Sequence, residues 1–300
     1  AAIVMGGVRS GIERVAKTLM PTLIFIMILL ALRAVTLPGA MDGLSYYMKP
    51  DLSKLTDPNV LNAALGQSFF SLSLGMGAMI TYGSYLRKRD GIAGAAIWVV
   101  LLDTCIALLA GFIIFPAGFS IEGFDPSSGG PGLIFVVLPR LFATLPGGQL
   151  FGIAFFVLLA MAALTSMISL LEVPVAHLID AYRWKRTRAV IVITGITMAL
   201  ALPSALANGS VDFFTKLPGF GIDFLTLMST VWNNFALPIG GLLTAIFIGY
   251  AWTVDSAIVE LRKDQAWFPL SGLWGILIRY ACPAGILLII IYTVRTLTST

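Results

Sequence analysis

The chain has 300 residues, 58% of them hydrophobic and only 11% charged, with a mean hydropathy of +0.94. A soluble domain carries roughly 25% charged residues, so a water-soluble globule is excluded. The net charge of +4 does not point to nucleic acid, because the basic residues sit in short clusters between apolar runs, as orientation signals do.

Apolar runs approaching or exceeding the roughly 20 residues that cross a bilayer recur at 16–36, 59–85, 92–118, 148–181, 188–207, 221–252 and 270–294. They predict an all-α, polytopic membrane protein, one transmembrane domain over 1–300 with about seven full spans. Runs longer than a straight crossing predict tilt, kinks or extension beyond the bilayer. Cys105 and Cys282 both lie inside apolar runs, so neither a disulfide framework nor a zinc site is expected.

Residues Ala1 to Gly7 are apolar and stop at Arg9, like the last turns of an earlier span, with no initiator Met and no signal-peptide pattern. The chain is therefore expected to lack its beginning. Arg9, Arg14, Lys17, Arg87, Lys88, Arg89, Arg183, Lys185, Arg186, Arg188, Arg262 and Lys263 fall at alternate connections. That side is expected to be cytoplasmic. The opposite connections are longer and hold only Arg33, Lys49, Lys54, Arg140, Lys216 and Arg295. The expected location is the cell's inner (plasma) membrane, multi-pass, with the C-terminus outside.

Two outside segments have their own character. Residues 37–58, with Pro38, Gly39, Pro50, Asp51 and Pro58, predict a turn-rich loop. In 119–147 a breaker cluster from Asp125 to Gly132 precedes a candidate short helix from Leu133 to Ala143. A connection of this length is either a lid or a structural cover.

The span 59–85 carries the clearest chemical signal: Gly66, Gln67, Ser71, Ser73, Gly75 and Gly77 lie near mid-bilayer. In hydrocarbon every backbone N–H and C=O needs a partner, so an interrupted helix survives only beside a cavity. Transporters use such breaks to bind cations and substrates. Small residues also serve close helix packing, and by themselves these serines and glycines do not decide between the two.

Asp103 adds weight, because it stands in the apolar run Ile97 to Phe115 with no basic residue within a helical turn. A carboxylate at that depth needs a cation or a proton, and is a functional candidate by default. An oxygen-bound cation is the preferred partner; a protonated acid bonded to a neighbouring helix is the alternative. On 148–181, Ala162, Thr165 and Ser166 share a helix face by their i, i+3, i+4 spacing. Two hydroxyls and a carbonyl suit a weakly held sodium ion, although such hydroxyls commonly bond back to a preceding carbonyl. Glu172, His177 and Asp180 follow; Asp180 lies beside the Arg183 cluster, and His177 receives no role.

Together these residues resemble the neurotransmitter:sodium symporters. The stretch Gly66 to Gly77 with Thr81, Tyr82 and Tyr85 is similar to their unwound sixth helix, and Gly11-Ile12-Glu13-Arg14 with Pro21 to the start of the fifth. Leu102-Asp103-Thr104 through Phe115-Pro116 resembles the seventh, and Ala163 to Ser166 with Glu172 the eighth. The likeness runs from the end of helix four through helix eleven and is nearest the bacterial amino-acid branch.

The resemblance implies two sodium sites, each only partly supplied by this chain, with the remaining ligands on missing N-terminal helices of the same protein. Ser71 and Asp103 match ligands of one ion; Ala162, Thr165 and Ser166 match ligands of the other. Phe70, Ser71, Ser73, Met76, Ser166 and Leu170 match substrate positions. Gly11, Pro21, Gln67, Tyr85 and Asp180 match gating positions. Chloride-dependent relatives carry Asn and Ser where this chain has Asp103 and Ala107, which implies chloride independence. An acidic outer-gate residue on helix ten falls at Ser229, with Asp223 nearly two turns away.

The implied function is sodium-coupled symport of a neutral, apolar or aromatic amino acid by alternating access, with no enzymatic chemistry and no nucleic-acid partner. The alternative is a cation channel or non-transporting membrane subunit that uses Asp103 as an intramembrane charge.

Overall fold

A computed structural model describes residues 1–86, 91–121, 123–126, 134–135, 138–144, 147–207, 209, 211–219, 221–262 and 270–298. The basic residues at 87–89 and 263, and the breaker residues at 127–132, lie outside the described residues.

The described elements are helical throughout. α1 (Ala2–Met5) leads through a π-helical turn (Val8–Glu13) into α2 (Arg14–Ala34). Pro21 stands inside α2, where it deprives the carbonyl four residues earlier of its usual donor without interrupting the helix. α3 (Ala40–Met48) and a 3-10 turn (Leu52–Thr56) follow, then α4 (Pro58–Ser71) and α5 (Ala78–Ser84). α6 (Ile92–Phe119), α7 (Leu138–Thr144), α8 (Gly148–Tyr182) and α9 (Arg186–Leu206) come next, then α10 (Asp212–Thr215). The last third is α11 (Phe224–Val231), α12 (Leu237–Ile246), α13 (Val254–Arg262), α14 (Ser271–Ile276) and α15 (Cys282–Thr298). π-helical turns join α11 to α12 (Trp232–Ala236) and α14 to α15 (Leu277–Ala281), and a third (Phe247–Ala251) ends α12.

Six helical stretches among the described residues are long and apolar enough to cross a membrane: Gly11–Ala34, Ile92–Phe119, Gly148–Tyr182, Arg186–Leu206, Phe224–Ala251 and Ser271–Arg295. The seventh predicted span, 59–85, is divided between α4 and α5. Only 11% to 28% of the apolar window in each stretch is buried. Water does not tolerate that much exposed apolar surface, whereas lipid or further helices cover it.

One local expectation changes. Residues 37–58 contain a nine-residue helix, α3, rather than loop alone. Gly39 starts it with a left-handed φ of 78°, and no breaker follows until Pro50. The helix is held from outside. A side-chain carbon on Gly43 would lie 2.4 Å from the Phe115 carbonyl oxygen, so only glycine permits this approach to α6. Tyr47 stacks on Phe115 at 5.0 Å and meets Phe112 edge-on at 5.7 Å. The short helix predicted over 133–143 lies at Leu138–Thr144.

The chain divides into two compact units. One comprises Ala1, Ser53–Val100 and Leu170–Thr300; the other comprises Ala2–Leu52 and Leu101–Ser169. The second unit is centred on Leu23, Met27, Leu30, Ile113, Leu138 and Phe155, from α2, α6, α7 and α8. The first has a smaller cluster of Phe69, Leu237, Ile286 and Ile289, where α4, α12 and α15 meet.

Candidate functional site

The interruption between α4 and α5 is built from backbone conformations that L-residues with side chains rarely adopt. Ser73 has φ 54°, and Gly75 and Gly77 both have φ 79°. α4 closes with the Leu72 N–H donating to Ser68 O at 3.1 Å and the Leu74 N–H to Phe69 O at 2.9 Å. α5 restarts at Gly77, whose carbonyl accepts from the Thr81 N–H at 2.9 Å and from the Thr81 hydroxyl at 3.0 Å. Among the described residues no helical hydrogen bond reaches the Leu72 and Ser73 carbonyls. Two carbonyl dipoles are thereby available to a ligand.

A close backbone contact holds the break in shape. A side-chain carbon on Gly75 would lie 2.1 Å from the Leu237 carbonyl oxygen, and one on Gly240 would lie 2.1 Å from the Gly75 carbonyl oxygen. On the neighbouring turn, one on Gly241 would lie 2.2 Å from the Phe69 ring. Three glycines thus let the interrupted segment lie directly on α12, and any larger residue would push it away.

The predicted substrate residues lie at the end of α4, in the break itself and on α8. Ser71 and Ser73 are half-buried. Phe70 presents a ring that is 54% exposed, while its neighbour Phe69 is buried in the unit's core. Met76 packs against the Phe69, Leu237, Ile286 and Ile289 cluster. Leu170, on the part of α8 that belongs to the same unit, is exposed. Ser166 is exposed on α8 within the other unit.

In that second unit, the Thr165 hydroxyl donates to the Ala162 carbonyl at 2.8 Å, and the Ser169 hydroxyl donates to the Thr165 carbonyl at 3.1 Å. This is the back-bonding that hydroxyls in membrane helices favour. It directs the Thr165 proton onto a carbonyl and leaves the oxygen lone pairs outward, so the donor set of Ala162, Thr165 and Ser166 remains chemically suited to a hard monovalent cation. Asp103 is half-buried on α6, in the same unit.

The gating candidates divide likewise. Gly11 is buried in the π-helical turn before α2, where a side-chain carbon would meet the Ile3 carbonyl at 2.0 Å. Pro21, Gln67 and Asp180 are exposed. Tyr85 ends α5, and its hydroxyl donates to Glu172 Oε1 at 2.7 Å.

Glu172 is the residue whose importance the sequence understates. It is wholly buried, and its second oxygen accepts from Arg186 Nη2 at 2.5 Å. A count of orientation charges treats Arg186 as one of a cluster; the fold gives it a specific carboxylate. The signals in the sequence are an acid inside an apolar run, 14 positions ahead of its partner, and its place in the stretch that resembles the family's eighth helix. His177 meets Tyr182 edge-on at 5.9 Å. At Asp223 the carboxylate caps α11, accepting from the Thr226 N–H at 2.9 Å and the Thr226 hydroxyl at 2.7 Å. Those bonds lower its pKa from the ordinary value.

The comparisons with known proteins agree with this architecture. A sodium-dependent transporter of Bacillus subtilis, YhdH, is 36% identical over 297 residues, covering 99% of this chain and 64% of its own length. A sodium-dependent transporter of Haemophilus influenzae is 37% identical over 290 residues, covering 96% of this chain and 62% of its own. The crystal structure of MhsT in complex with L-phenylalanine superposes with a TM-score of 0.85 at 44% identity, covering 97% of this chain and 65% of that one. The chain thus spans somewhat less than two thirds of the length of these relatives. The family model for the sodium:neurotransmitter symporters matches residues 1–300, and the chain belongs to that family.

Proposed function

We propose that the protein of which this chain is part carries a neutral amino acid with an apolar or aromatic side chain across the membrane, coupled to sodium entry by alternating access. The observation that carries the proposal is the interruption at Leu72–Gly77, with its left-handed Ser73, Gly75 and Gly77 and its carbonyls outside any helical bond. A helix broken inside hydrocarbon is retained when the freed dipoles bind something. Phe70, Ser71, Ser73, Met76 and Leu170 line the substrate's path; none offers a full charge to a substrate side chain, which favours an apolar one. The solved relative's complex with L-phenylalanine supports the same class.

Ser71 and Asp103 are oxygen ligands for sodium, and Ala162, Thr165 and Ser166 hold a second ion, each site completed by residues beyond this chain. Because Asp103 carries a fixed negative charge, transport needs no chloride. Gly11 and Pro21 loosen the start of α2 for release, while Gln67, Tyr85 and Asp180 gate. The basic connections face the cytoplasm and the C-terminus faces outward.

The test is uptake of labelled L-phenylalanine by the full-length protein in proteoliposomes. Expected are accumulation only with an inward sodium gradient, no effect of replacing chloride by gluconate, and loss in Asp103→Ala. Uptake that persists when potassium replaces sodium overturns the proposal. Sodium current without accumulation favours a channel.

A further inference from the structure

The ends of two spans frame a cavity that the transport site does not use. It has a volume of about 440 Å³, and Tyr250, Thr253, Asp255, Ser271, Arg279 and Tyr280 contribute to its lining. π-helical turns border it on both sides, Phe247–Ala251 carrying Tyr250 and Leu277–Ala281 carrying Arg279 and Tyr280. π-helical turns are sparse in proteins and concentrate at functional positions. Here they meet closely, since a side-chain carbon on Gly249 would lie 3.4 Å from the Arg279 Cα.

Arg279 is the unusual feature. It is the ninth residue of the span Ser271–Arg295, roughly 12 Å along the helix from its start. Among the described residues no carboxylate lies within ion-pair distance of it. Its guanidinium instead lies 5.3 Å from the centre of the Tyr250 ring and 5.8 Å from that of Tyr280. The Tyr250 hydroxyl donates to the Arg279 carbonyl at 3.0 Å, fixing the ring. Ring faces hold a guanidinium through its π surface and leave its in-plane N–H fork open for an oxyanion. At this depth an arginine reaches the headgroup level by its own length.

Two more groups narrow the ligand. Ser271 is buried and held by the Arg262 guanidinium, which donates to its hydroxyl at 2.7 Å. That places a second cation at the cavity's edge. Asp255, exposed on α13, lines the same cavity with the opposite charge. A purely anionic headgroup would meet Asp255 unfavourably, whereas a group carrying both signs satisfies the whole lining. Ile276, which also lines the cavity, is 59% exposed, so the cavity opens onto an apolar surface.

We propose that this cavity binds the headgroup of an aminophospholipid, phosphate on Arg279 and primary ammonium on Asp255, with the acyl chains running inward along the exposed face of α15. Such a site tethers the ends of the two spans to the membrane's own lipid and is independent of which face is cytoplasmic.

The experiment uses the full-length protein extracted from vesicles holding equal parts of phosphatidylethanolamine, phosphatidylglycerol and phosphatidylcholine with matched acyl chains. Native mass spectrometry counts the lipid retained. Expected is preferential retention of one phosphatidylethanolamine, about tenfold over phosphatidylcholine, the equivalent of about 1.4 kcal/mol. Asp255→Asn abolishes the preference between those two lipids, and Arg279→Gln abolishes retention of all three. Equal retention of the three by the wild type, preference for phosphatidylglycerol, or a preference unchanged by Asp255→Asn overturns the proposal. Should Arg279→Gln fail to fold, Asp255→Asn at an exposed position still decides it.

Discussion

Glu172 and Arg186 form an asymmetric ion pair: the carboxylate side chain has no solvent exposure, while the guanidinium side chain retains 25%. Glu172 also accepts from Tyr85 at the end of α5, so α5, α8 and α9 converge on one buried acid. Removing either partner of a buried pair leaves the other uncompensated, and the cost depends on how far that remaining charge can reach water.

Arg186→Ala therefore destabilises the protein more than Glu172→Gln. The first strands a buried carboxylate and loses on the order of 3–5 kcal/mol. The second leaves a guanidinium that already reaches solvent, and it keeps a carbonyl for Tyr85. Thermal unfolding midpoints of the two variants rank them, and a larger drop in Glu172→Gln contradicts the asymmetry.

Gly75→Ala disrupts the break between α4 and α5, because the new methyl group meets the Leu237 carbonyl at 2.1 Å and the φ of 79° disfavours any side chain. Backbone strain alone contributes roughly 1–3 kcal/mol. Gly66→Ala, where nothing lies within 4 Å, is neutral or stabilising by up to about 1 kcal/mol, as expected inside an α-helix. Unfolding midpoints and sodium-dependent uptake of the two variants should diverge. Equal behaviour would show that close packing does not shape the break.

Thr165→Val retains the shape of the side chain and removes the hydroxyl. Its hydrogen bond to the Ala162 carbonyl contributes about 1 kcal/mol or less, so the unfolding midpoint moves little. In the sodium site proposed above, the same oxygen matters far more to transport. The sodium concentration for half-maximal uptake should rise about tenfold or more, and an unchanged value removes Thr165 from the ion site.

Asp223→Ala removes the cap of α11 and costs roughly 0.5–2 kcal/mol. The wild-type contribution depends on pH in a definite direction. Thr226 holds the folded-state pKa below the ordinary value of 3.8. The stabilisation is therefore complete above that value and is lost as pH falls through the folded pKa. A difference in unfolding midpoint between wild type and variant that narrows below about pH 3.8 checks it.

The sequence by itself determined the class of molecule and the position of the helix break. Hydropathy is a sum over neighbouring residues, so the spans could be read directly, and the helix ends moved by only a few positions. The break near Ser73 was legible for the same local reason: glycine and serine relax a helix wherever they cluster, and Asp103 was conspicuous because its surroundings are uniformly apolar. Partners across the fold were decided elsewhere. Nothing local to Gly75 announces that α12 will press against it, nothing in the positive cluster singles out Arg186 for Glu172, and nothing within 37–58 announces that Gly43 and Tyr47 will pack on Phe112 and Phe115. Arg279 has Tyr280 beside it in the chain, but the Tyr250 ring and Asp255 come to it from separate segments. Such contacts depend on which surfaces meet once the helices pack, and that information is long-range.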